Sequence, residues 1–157
     1  MNRLPLLSCF MACSMSVMAA CDVIDDPGFQ LWCGEELCAW VLEEGEIRKV
    51  STWHTHDYGV ELVGAPVLLS QGARESASCM RIEVTSRVEP EAMVSVELDA
   101  DGDGEIDWVF PVEPSDAFVR EVREVPLEVS LGGVFYIRKT GQGQAVVGRL
   151  RASDCGL

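Results

Sequence analysis

Residues Asp99 to Trp108 read "DADGDGEIDW", which packs five acids into nine residues. Asp99, Asp101, Asp103 and Asp107 take the first, third, fifth and ninth places of a loop, Gly104 takes the sixth, and Glu105 offers its backbone carbonyl at the seventh. A hard cation such as calcium wants about six to eight oxygens, and this alternation turns successive carboxylates toward one point while the glycine permits a sharp turn. Without a cation the same charges repel one another. The twelfth place is Phe110 instead of a bidentate glutamate, and no helical pattern flanks the loop, so the last ligand must come from elsewhere or from water. The competing reading is a plain acidic turn, because Asp-Gly pairs are a common hairpin signal by themselves. Even with calcium bound, the role expected of the loop is a structural staple, so the motif does not imply catalysis.

A second candidate is "STWHTHDYG", which holds both histidines of the chain, His54 and His56, with Asp57 beside them. Three such groups are a zinc ligand set in principle, but alternate histidines on an exposed strand are commonly plain surface residues, and no further histidine or nucleophile stands nearby. The aromatic residues Trp53 and Tyr58 make the same stretch a candidate ligand-binding surface with His54 and His56, since an exposed ring can stack on a sugar. Trp32, Trp40, Trp108 and Tyr136 are expected mainly in packing. There is no glycine-rich phosphate loop and no nucleophile elbow, and with 26 acids in the chain no carboxylate pair stands out for acid–base work. The sequence therefore reads as non-enzymatic.

These side chains must be positioned by short segments of β character. Tyr58, Val60 and Leu62 alternate with polar or small neighbours, as do Met80, Ile82 and Val84, and Val94, Val96 and Leu98. Period two of this kind marks strands with one buried face. Further strands are expected at 39–43, 47–50, 66–70, 106–112, 134–139 and 145–152. The stretch "PSDAFVREVREV" has Phe118, Val122 and Val125 at helical spacing, but its β-branched valines favour a strand. About eight to ten antiparallel strands in one domain suggest a two-sheet sandwich.

The first residues address the chain. "MNRLPLLSCFMACSMSVMAAC" runs from one cation through an apolar stretch to small residues before Cys21, the order of a secretory signal over residues 1–20. The apolar run is short of the ~20 residues a spanning helix needs. Its end, "VMAAC", is similar to a bacterial lipobox, with Met18 in the place where leucine is usual; the alternative is a plain signal that leaves Cys21 as an ordinary thiol. Under the first reading Cys21 carries an acyl (palmitate-type) anchor into the lipid bilayer of a bacterial cell envelope, on the periplasmic or the outer surface. Residues 21–27 read as a polar tether and 28–157 as one domain. Loss of Arg3 with the signal leaves 11 cations against 26 acids, a formal charge of −15, which repels phosphates and excludes nucleic acid. Four cysteines remain after Cys21, and an even set in an exported chain suggests two disulfides in one of three connectivities, with zinc as the rival use; the favoured pairing is Cys33–Cys38 with Cys79–Cys155. Cys33–Cys38 closes a short loop with Gly34 at its turn, and Cys79–Cys155 ties an early strand to the C-terminus.

The run from Gly28-Phe29 through Trp40, Gly45-Glu46-Ile47, Ser51-Thr52-Trp53-His54, Tyr58 to Leu62 and Leu69-Ser70-Gln71 resembles the opening of galactose-binding-like jelly rolls, which include many carbohydrate-binding modules. The ending "GQAVVGRLRASDC" resembles their last strand. The whole chain also resembles lipoproteins of myxobacteria and related bacteria. The first resemblance implies a jelly-roll β-sandwich and a non-catalytic binding module with a glycan as the favoured ligand; structural calcium is frequent in that superfamily, although not on an aspartate-rich hairpin. The alternative is a structural or assembly component of the envelope that binds another envelope protein.

Overall fold

The computed structural model describes residues 22–53 and 57–155. Among them are ten strands, one short 3-10 turn at Pro90–Ala92, and no α-helix. Two very short strands, β1 (Trp32–Cys33) and β2 (Glu36–Leu37), form a separate hairpin. The others are β3 (Val41–Ser51), β4 (Tyr58–Gly72), β5 (Met80–Val88), β6 (Val94–Asp99), β7 (Trp108–Pro111), β8 (Ser115–Val125), β9 (Val134–Lys139) and β10 (Ala145–Asp154). They pair antiparallel in the order β7-β6-β9-β4-β10-β5-β8, with β3 laid along β4.

The sheet folds over along β4. Its first half pairs β10 through Val60 and Glu61, and its second half, Val67–Gly72, pairs β9. β3 follows β4 through both halves, with register shifts around Glu44. The two halves close on one core, filled from one side by Ile82, Val84, Leu150 and Ala152 and from the other by Val96, Leu98, Phe135 and Ile137, all no more than 1% exposed. Burying each large aliphatic or aromatic side chain contributes about 1.5–3 kcal/mol. The result is the all-β jelly-roll sandwich expected from the alternation. Residues 115–125 are a strand: β8 pairs β5 from Val125 opposite Met80 to Ser115 opposite Val88. As an edge strand it carries Arg120, Glu121, Arg123 and Glu124, charges that discourage further strand addition.

Residues 22–27, expected as a tether, are instead packed into the fold. β4 pairs only Val146 and Val147 of β10, which leaves the rest of that edge open. Asp22 bridges Ser153, the Val23 N–H donates to the Ala152 carbonyl (2.6 Å), and the Leu150 N–H donates to the Pro27 carbonyl (2.8 Å). Val23 and Ile24 are buried, so apolar burial and backbone pairing both hold the segment down. Residues 22–27 therefore belong to the folded domain.

Cys33 is bonded to Cys38 and Cys79 to Cys155, with Cα separations of 5.2 and 5.4 Å. Lys139, 1% exposed, donates from Nζ to the Gly64 carbonyl in the middle of β4. Burial pushes its amine below the ordinary value of 10.5, against the opposing charges of Glu61 and Glu89.

Candidate functional site

The outward face of β10, β5 and β8 carries a row of polar side chains. Along β5, Ile82 and Val84 turn inward, so Glu83 and Thr85 turn out; along β10, Leu150 and Ala152 turn inward, so Arg149 and Arg151 turn out. Strand register then sets neighbours. Arg149 lies beside Thr85 and Thr85 beside Arg120, while Arg151 lies beside Glu83. These residues line an open groove of about 770 Å³ together with Trp53, Asp57 and Phe118.

Trp53, two residues past the end of β3, forms the aromatic wall. Its ring packs against Phe118 at 4.8 Å between centroids and 52° between planes, yet 45% of the residue stays exposed. The Arg87 guanidinium lies 5.4 Å from the centre of the Phe118 ring. Gly148 makes the arrangement feasible, because a Cβ at that position would lie 2.5 Å from Trp53 Cζ3. Trp53, Asp57 and Arg149 also border a hollow of about 70 Å³ lined by Gly28, Gln30, Thr52 and Gly148.

The charges in the groove are unevenly paired. Arg120 Nη2 meets Glu83 Oε2 at 2.5 Å, and this hydrogen bond is the main cause that holds the Glu83 carboxyl below its ordinary 4.5. Burial opposes the shift, and the charges of Arg120, Arg149 and Arg151 assist it. Arg151 Nε donates to Asp22 Oδ1 at 2.6 Å. No hydrogen bond or ion pair engages the Arg149 guanidinium among the described residues. An aromatic plate beside a hydroxyl and several fixed donors can stack on an apolar ring face and bind the oxygens around it. A glutamate held ionised by arginine is poorly suited to proton donation near neutral pH.

The acidic loop sits at the end of β6. One carboxylate oxygen from each of Asp99, Asp101 and Asp107 lies within 4.8 Å of the others, an arrangement that could hold a metal ion. The same aspartates also cap the loop backbone. Asp99 accepts the N–H groups of Gly102 (2.6 Å) and Gly104 (2.9 Å), and Asp107 accepts that of Ala100 (2.7 Å). Gly102 and Gly104 adopt φ of 77° and 94°, which their missing side chains allow. Asp103 and Glu105 lie outside the group of three: Asp103 Oδ1 accepts the Glu105 N–H at 2.8 Å, so this carboxylate stays on its own turn. Hard oxygen donors suit calcium, and a carboxylate oxygen that accepts one N–H retains a second lone pair.

The other sequence candidates scatter. Tyr58 lies off the groove, with the Lys49 Nζ 3.8 Å from its ring centre. Trp40 is buried against Phe29, and Trp32 and Trp108 are half-buried. His54, His56 and the anchor residue Cys21 lie outside the described residues. Phe118, Arg120, Arg149, Arg151, Glu83 and Thr85 were not singled out from the sequence; the available signal was arginines at alternate, outward positions of strands in an acidic chain.

No protein-family model and no curated protein sequence matches the chain. Solved structures do match. TmCBM61 in complex with β-1,4-galactotriose is 15% identical, with a TM-score of 0.63 over 86% of this chain and 99% of that one. The CBM22-1 xylan-binding domain of Paenibacillus barcinonensis Xyn10C is 10% identical, with a TM-score of 0.61 over 88% and 97%. The enzymatically active domain of tailspike protein 4 from bacteriophage CBA120 reaches 0.61 at 12% identity, but this chain spans 21% of it. The chain therefore has the jelly-roll fold found in carbohydrate-binding modules. Fold alone does not fix a ligand.

Proposed function

We propose that the protein is a non-catalytic glycan-binding module, with the groove beside Trp53 as its binding site. The observation that carries this reading is the placement of Trp53. A large aromatic ring is held partly exposed at the wall of an open groove, against Phe118 and over Gly148, with Thr85 and Arg149 within the same lining. Exposed tryptophan beside fixed polar groups is what stacking on a sugar requires. The likeness in fold to the xylan-binding and galactotriose-bound modules supports the reading. Native gels cast with soluble polysaccharides test it: at least one polysaccharide should retard the protein, and Trp53→Ala should remove the retardation. Equal migration of parent and variant in every gel would overturn it.

Two finer assignments accompany this reading. The module is exported and attached to a bacterial envelope membrane through an acyl group on Cys21, on the strength of the leader and its "VMAAC" ending. No helix among the described residues is long and apolar enough to cross a membrane. Metabolic labelling with an alkyne fatty acid should mark the protein and fail to mark Cys21→Ser. The loop at Asp99, Asp101 and Asp107 takes calcium as a structural ion, with backbone oxygens or water completing the set.

A further inference from the structure

We propose that the groove beside Trp53 selects an acidic saccharide, one that carries a uronate carboxylate or a sulfate ester, and that Arg149 binds the anionic group. This inference rests on the reading of the groove as a glycan site and names its ligand class. The chain is strongly acidic, with 26 Asp and Glu against 12 Lys and Arg, yet β5, β8 and β10 together hold six arginines against five acids. Arg81, Arg87, Arg120, Arg149 and Arg151 belong to three adjacent strands, and three of them line the groove against the acids Asp57 and Glu83. Glu83 is already engaged by Arg120, and Arg151 is engaged by Asp22. Arg149 keeps its guanidinium without such a partner, in the same lining as the Trp53 ring.

A guanidinium is always charged and presents a planar fork that matches a carboxylate or sulfate edge. A neutral hydroxyl satisfies such a fork less well, because it offers a single uncharged acceptor where a carboxylate or sulfate offers two oxygens and an opposite charge. A pyranose stacked on Trp53 would bring its ring substituents toward Arg149, which borders the tryptophan on both the groove and the small hollow. The negative charge of the rest of the molecule does not cancel this local field, since charges beyond about 8 Å are largely screened at physiological salt. The Arg120 hydrogen bond is the main cause that lowers the Glu83 carboxyl, and the charges of Arg149 and Arg151 add to it from the same groove.

The test uses the purified protein in gels containing neutral polysaccharides (galactan, xylan, β-glucan), uronate polymers (polygalacturonate, alginate) or a sulfated galactan, with polyglutamate as an anion without sugar. The expected result is strongest retardation by an acidic polysaccharide, lost in Trp53→Ala and about tenfold weaker in Arg149→Gln, a larger loss than the same variant shows with any neutral polysaccharide. The uronate and sulfate arms identify which anion is preferred. Arg149 is exposed and unpaired, so Arg149→Gln should keep the parent melting temperature. Neutral polysaccharide bound as tightly as acidic, or Arg149→Gln without effect, would overturn the ligand class and leave the glycan site standing. Polyglutamate binding equal to the acidic polysaccharides would overturn it as charge attraction alone. No retardation by any polysaccharide would overturn both the glycan site and this inference.

Discussion

Trp53 stands where it does because residue 148 has no side chain. Gly148→Ala would place a methyl 2.5 Å from Cζ3 and push the indole out of its seat on β10. The change should cost less than about 1 kcal/mol of global stability, since the indole is already partly in water and alanine stiffens the unfolded chain. Polysaccharide retardation should nevertheless fall as far as in Trp53→Ala. Parent-like retardation in Gly148→Ala would detach the platform from binding. Glu83 is the second test at this scale. Its folded value lies below 4.5, so its contribution to stability is present above the unfolded value and is lost as pH falls through the lowered folded one. A carboxyl-carbon NMR titration should find the Glu83 midpoint below 4.5 and returning toward it in Arg120→Ala; an unmoved midpoint would remove Arg120 as the cause. Trp53 could be read from the sequence as an exposed ring beside polar residues. Its partners could not, because Arg149, Thr85 and Arg120 are brought side by side by register between strands far apart in the chain.

The strands were legible and their limits were not. Alternation identified the start of β4, β5 and β6 because one face of each carries core residues and a slip of one residue would reverse the pattern. Segments 39–43 and 47–50 read as separate strands, but β3 passes through Gly45 with shifted register, and β4 likewise continues through Gly64 and Pro66. Glycine and proline signal a stop to local reasoning, while pairing with a long neighbour carries the chain past them. The same blindness made residues 22–27 look like a tether, since the open edge of β10 that they cover is formed by the other end of the chain. The Cys79–Cys155 bond spans 76 positions, so replacing both cysteines with alanine should lower stability by about 4 kcal/mol in chemical denaturation. The Cys33–Cys38 pair closes a short loop, and its removal should cost roughly half as much. A reversed order would mean that the short hairpin at Trp32–Leu37 is the more constraining closure. For the acidic loop, calcium at about 100 times its dissociation constant should stabilise the fold by about 2.7 kcal/mol. Calorimetry should show this rise in the parent and not in an Asp101→Asn, Asp107→Asn double variant; no rise in the parent would make the loop a turn held by its own aspartates.

At the scale of the whole molecule, the protein is an acidic sandwich with a local concentration of arginine on one sheet face. Net charge averages over the surface and conceals the groove. The most direct test of a glycan site at Trp53 is a chemical-shift map of the isotope-labelled protein titrated with an oligosaccharide from the polysaccharide that retards it most. Shifts should concentrate at the Trp53 indole and at Thr85, Phe118, Arg149 and Arg151, and should saturate with one affinity. Shifts concentrated at the Asp99 loop or on the opposite sheet around Glu97 and Arg138, with the Trp53 indole unmoved, would contradict the groove as the binding site.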